Sequence, residues 1–218
     1  MKKYLLSTLA DGICVVLLSV CPILCYASAF SVKLESSVLI MAAVLFSIVF
    51  SLLSAFVKNN LKYALCMTVI AFVAFLVFVF ANERIVAQAN YAINKLLELY
   101  SVYLSVYSNI KFASYIANDA TGFFVLLSLI LNGLFSFLIS RIKSIKIAGL
   151  LSIALLVPCF VLVNTLPDLV PLLIIFTVLF ALYFSSQTRQ LNYAHSGVIT
   201  AVCAVILAVL ITVLAVIN

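Results

Sequence analysis

The chain has 218 residues, 67% of them hydrophobic and 8% charged, with a mean hydropathy of +1.39. A soluble domain carries roughly 25–35% charged residues on its surface, so a water-soluble globular protein is excluded and most of the surface must face lipid. The net charge of +6 and a pI near 9.0 do not imply nucleic acid, because membrane proteins keep Lys and Arg in their cytoplasmic loops.

Seven stretches can lie in hydrocarbon without an ionised side chain, most of them close to the roughly 20 residues a span needs and the sixth the shortest. They predict an all-α fold, a polytopic transmembrane helix bundle forming one integral membrane domain over 1–218, with spans at about 12–30, 37–57, 63–81, 121–140, 147–164, 170–184 and 197–217. The runs are apolar on every face, whereas barrel strands would alternate.

Lys2 and Lys3 before an apolar run suggest a signal peptide, and Ala27-Ser28-Ala29 offers small residues for cleavage. The run is long for that purpose and Asp11 interrupts its start, so the first span is read as a retained anchor. Pro22 in the first span and Pro158 in the fifth each remove one backbone hydrogen bond, and a kink is expected at both. In the second span Ser47, Ser51 and Ser54 form a short polar stripe.

Between the third and fourth spans, residues 82–120 form an amphipathic extracytoplasmic segment. Ile85, Ala89, Ile93, Leu96, Leu97, Tyr100, Tyr103, Leu104 and Tyr107 recur at helical spacing, with Asn94, Lys95, Glu98 and Ser101 mostly opposite. Tyr91, Tyr100, Tyr103 and Tyr107 suit the headgroup boundary. The segment is expected to lie on the outer leaflet or cap the bundle, and these tyrosines are the candidates for an outer docking surface.

Ser128, Asn132, Ser136 and Ser140 recur every four residues in the fourth span, with Gly133 beside them. Such a stripe suits close helix packing with interhelical hydrogen bonds, or the lining of a small-molecule path. After the fifth span, Asn164, Thr165, Pro167, Asp168 and Pro171 predict a tight turn.

Chemistry inside a membrane usually needs ionisable groups at mid-depth, and the spans contain none. Asp11 lies at a helix end, and His195 falls in the polar run 185–196. Cys14, Cys21, Cys25, Cys66, Cys159 and Cys203 all sit in apolar runs, as small hydrophobes rather than disulfide partners or metal ligands. No catalytic, cofactor-binding or metal-binding residue is assigned.

With the N-terminus inside, the inner segments hold Lys2, Lys3, Lys58, Lys62, Arg141, Lys143, Lys146 and Arg189; the outer ones hold Lys33, Arg84, Lys95 and Lys111. That asymmetry predicts an N-in, C-out topology.

The order of these features, with the basic turn Arg141-Ile-Lys-Ser-Ile-Lys146, the turn Asn164-Thr-Leu-Pro-Asp-Leu-Val-Pro171 and the segment Ser185-Ser-Gln-Thr-Arg189, resembles the N-terminal membrane region of bacterial transglutaminase-like membrane proteins. The resemblance implies a non-catalytic membrane anchor or scaffold module in a bacterial inner membrane. Its partners would be the bilayer and a protein or downstream exported domain, with no nucleic acid and no cofactor. The Cys, His and Asp of the transglutaminase-like domain have no counterpart here, so such activity would need a domain absent from this chain. The alternative is a small permease or a membrane subunit of a transport or envelope-assembly complex.

Overall fold

Long apolar runs with few breakers propagate as helices once nucleated, since each added residue gains a backbone bond that neither lipid nor core could supply otherwise. The computed structural model of the protein describes residues 2–80, 83–104, 117–161 and 167–190, and these contain helices and turns but no strand. The helices are α1 (Lys2–Ala29), α2 (Ser36–Phe56), α3 (Asn60–Phe80), α4 (Glu83–Leu104), α5 (Thr121–Ser136), α6 (Ile145–Val161) and α7 (Leu169–Gln190). Four are long and apolar enough to cross a membrane, over Asp11–Ala29, Ser36–Ser54, Asn60–Val77 and Thr121–Ile142, the last including the turn after α5. Ile145–Phe160 and Leu169–Phe184 are shorter apolar helices. The expected seventh span, 197–217, lies outside the described residues.

Several boundaries differ from expectation for local reasons. No Gly or Pro stands between Lys2 and Asp11, so α1 starts a full ten residues before the predicted span. Asn59 Oδ1 accepts the Leu61 N–H at 2.8 Å and caps α3, which therefore begins at Asn60 rather than Tyr63. The fourth span is not one regular α-helix: Phe137–Ile142 form a π-helical turn, closed by Lys143 in the left-handed conformation at φ 54°. The polar run after the sixth span continues α7 as far as Gln190 instead of forming a loop at Ser185. Helices α1 and α6 run through Pro22 and Pro158.

The core is built around α1. Its apolar window is 61% buried, against 11% for α3, and it packs against α2, α5, α6 and α7. Val15, Leu18, Ile23 and Cys25 of α1, with Phe30 just past its end, share one core cluster with Leu39 of α2, Phe124 and Phe135 of α5 and Cys159 of α6. Helices α2 and α3 turn Met41, Leu45, Ile48, Leu65, Val69 and Phe72 outward. An apolar surface that broad is unfavourable in water and neutral in lipid.

Polar contacts fix which ends of the helices lie together. Ser47 of α2 reaches the Gly12 carbonyl of α1 at 3.1 Å, and Arg141 reaches the end of α2, so the 58–63 and 137–146 turns share one end. At the opposite end the Ala120 N–H donates to the Lys33 carbonyl at 3.0 Å, Glu35 N–H to Thr121 Oγ1 at 3.0 Å, and Asp168 N–H to Ser28 Oγ at 2.9 Å.

Candidate functional site

Three groups of polar residues stand out in the bundle: an internal seam, a basic end and an acidic end. The seam follows the α5 stripe. Asn132, fully buried, donates through Nδ2 to Ser19 Oγ of α1 at 2.9 Å and to its own helix at the Ser128 carbonyl at 3.0 Å. Ser136 lies 3.1 Å from the hydroxyl of Tyr63 in α3. Two stripe members thus join neighbouring helices. Ser128, equally buried, instead returns its hydroxyl to the Val125 carbonyl at 2.8 Å, and Ser140 is half-buried within the π turn. Asn132 Oδ1 is buried with no hydrogen-bond partner among the described residues. Gly133 gives α3 its close approach, since a Cβ there would collide with the Met67 methyl.

The basic end is held by Arg141. From the π turn its guanidinium donates to the carbonyls of Ser54, Val57 and Lys58 at the end of α2, and it lies 5.0 Å above the ring of Tyr63. Tyr63 is fully buried and stacks on Phe137 at 5.9 Å with the rings 10° apart. A cation at a helix C-terminus meets the carbonyls left without intrahelical donors. Lys58, Lys62, Lys143 and Lys146 point outward around this knot.

The acidic end gathers Glu35, Glu83, Glu98, Asp119 and Asp168 against Lys33, Arg84 and Lys95. Helix α4 lies across it. Gln88 is buried, accepts the Phe123 N–H through Oε1 at 3.2 Å and donates to Asp119 at 3.3 Å, so it caps the start of α5. Twelve residues on, about 18 Å along a helix, Tyr100 meets Phe30 edge-on at 6.1 Å beyond the end of α1. A groove of about 360 Å³ opens beside Gln88, lined by Glu83, Arg84, Asn118 and Asp119.

Of the tyrosines assigned to an outer surface, Tyr91 and Tyr100 are partly buried against the core, so part of that face is spent inside the molecule. The side chain of Tyr103 and the whole of Tyr107 lie outside the described residues. Burial, and then the nearby Cys159 thiol, push the Tyr100 hydroxyl above its ordinary pKa. The Lys95 ammonium is raised by its hydrogen bond to Glu98 at 2.9 Å, an exposed pair that adds little stability.

Tyr63, Gln88 and Arg141 were not singled out as positioning residues in the sequence. Gln88 left a signal, a polar residue on the apolar face of an amphipathic helix; Arg141 left only its place in a basic turn. Cys14, Cys21, Cys25 and Cys159 are buried free thiols, and the described residues contain no group of three or more His, Cys, Asp or Glu able to hold a metal ion. Comparison with family models, with curated proteins and with solved structures finds no match to this chain.

Proposed function

We propose that the chain is a multi-pass scaffold of a bacterial cytoplasmic membrane, oriented with the basic end inside, which holds a partner or an exported domain at the face covered by α4. The observation that carries this reading is the placement of α4. It is an amphipathic helix pinned across one end of an apolar bundle by Gln88 and Tyr100, and it leaves Ile93, Lys95 and Glu98 turned outward. The charge asymmetry between the two ends supports the orientation, since Lys and Arg resist translocation.

The buried polar groups favour a structural role over a conducting one. Ser47, Asn132 and Ser136 are occupied in bonds between helices, and none of them is ionisable. The likeness to transglutaminase-like membrane proteins extends the same proposal, with the exported domain as the load carried on the α4 side. The alternative of a permease or transport subunit rests on the groove beside Gln88.

Photo-crosslinking in native membranes separates these readings. A benzophenone side chain at Ile93, 38% exposed on α4, is expected to give one discrete protein adduct. The same group at Leu45 on the outer face of α2 is expected to give lipid adducts only. Lipid adducts at both positions would overturn the scaffold reading.

A further inference from the structure

The basic end carries more cations than its own structure uses. Arg141 is consumed by the α2 carbonyls and the Tyr63 ring. The ammonium groups of Lys58, Lys62, Lys143 and Lys146, all exposed, have neither an ion-pair nor a hydrogen-bond partner among the described residues. The one acid that α1 brings to this end is Asp11, already half-buried and engaged. Four cations are thus held by two short turns that Arg141 ties together, with no ion pair to an acid among the described residues.

Beside them the surface is apolar. Phe56, the last residue of α2, is 82% exposed, Leu61 in the first turn of α3 is 72% exposed, and Ile142 at the end of the π turn is exposed as well. Large apolar side chains adjoining unpaired ammonium groups match the two halves of an amphiphile, acyl chain beside phosphate. A soluble phosphate would have no use for the apolar half.

We propose that this end is a binding site for anionic phospholipid, with the headgroup phosphate between the 58–62 and 143–146 lysines and the acyl chains along Phe56, Leu61 and Ile142. The site rests on the reading of the chain as membrane-spanning. Juxtamembrane lysines each strengthen attraction to anionic headgroups, by about fivefold before screening. The fold gives these four a fixed arrangement, because the guanidinium of Arg141 locks one turn to the other.

The test uses the full chain in nanodiscs of phosphatidylcholine with or without phosphatidylglycerol, with retained lipids counted by native mass spectrometry. Wild type is expected to retain phosphatidylglycerol in preference to phosphatidylcholine by about tenfold or more. The variant K58Q/K62Q/K143Q/K146Q is expected to lose that preference, while K33Q/R84Q at the opposite end keeps it. Should the fourfold variant not fold, the pairs K58Q/K62Q and K143Q/K146Q are each expected to lose part of the preference. An undiminished preference in the variants overturns the proposal, and so does inorganic phosphate displacing the lipid, which would mark a soluble-anion site. Carbonate extraction of the parent membranes is read separately: release of the chain would refute the membrane-spanning reading itself.

Discussion

Replacing Arg141 by Met removes the contact that ties the π turn to the end of α2. The guanidinium donates to three carbonyls, those of Ser54, Val57 and Lys58, and covers the Tyr63 ring at 5.0 Å. A hydrogen bond to a charged group contributes about 1.5–3 kcal/mol when fully buried. Arg141 is only half-buried, and water can replace part of each bond, so about 1 kcal/mol per carbonyl is the reasonable share. The ring contact adds about 0.5–1 kcal/mol. Against these stands Nε, buried without a partner, whose removal returns about 1 kcal/mol. The net loss is about 2–3 kcal/mol, which for a chain of this size lowers Tm by about 5–10 °C.

The protein carries its own probe for that measurement. It has no Trp, but Cys14, Cys21, Cys25 and Cys159 are free and buried, so a thiol-reactive fluorophore reports unfolding in detergent. Arg141→Lys keeps the charge but loses the planar fork, and its melting point is expected between those of the parent and Arg141→Met. Combined with Tyr63→Leu, Arg141→Met should show a coupling of about 0.5–1 kcal/mol. An Arg141→Met protein that melts within about 1 °C of the parent would refute the reasoning.

Two further outcomes follow from the ends of the bundle. An impermeant maleimide applied from outside should label Asn118→Cys and spare Asn59→Cys, both exposed positions on opposite ends; the reverse pattern would invert the proposed orientation. Gly122→Ala places a Cβ 2.5 Å from Gln88 Oε1, displacing the amide that caps the Phe123 N–H at a cost of about 1 kcal/mol. Deuterium uptake in residues 83–92 should rise while that of 12–29 stays unchanged, and identical uptake in α4 would show that Gln88 does not pin it.

The α4 segment shows how far periodicity reaches. Its spacing of apolar residues announced an amphipathic helix, because a helix with lipid or core on one side and water on the other must segregate its side chains. The same spacing assigned the tyrosines to an outer surface, yet Tyr100 turns its ring to Phe30. A tyrosine satisfies the headgroup boundary and a packed interface equally well, having an apolar ring and a polar tip. The α5 stripe behaved similarly: its residues share one face, but a serine hydroxyl can bond its own helix as readily as a neighbour, and Ser128 does so.

Composition and the length of the apolar runs determine by themselves that the described chain is helical and that most of its surface suits lipid, because hydropathy is a local property and lipid permits few ways to satisfy a backbone. Which helix fills the centre is another matter. Helices apolar on every side carry no mark distinguishing the face toward lipid from the face toward protein, since acyl chains and aliphatic side chains are alike as solvents. Only the tertiary structure decides that α1 is the core and α3 the periphery, and that Asn132 meets Ser19. It alone places Arg141, through a π turn no hydropathy pattern announces, at the carbonyls in and just after the last turn of α2, 83 to 87 residues earlier in the chain.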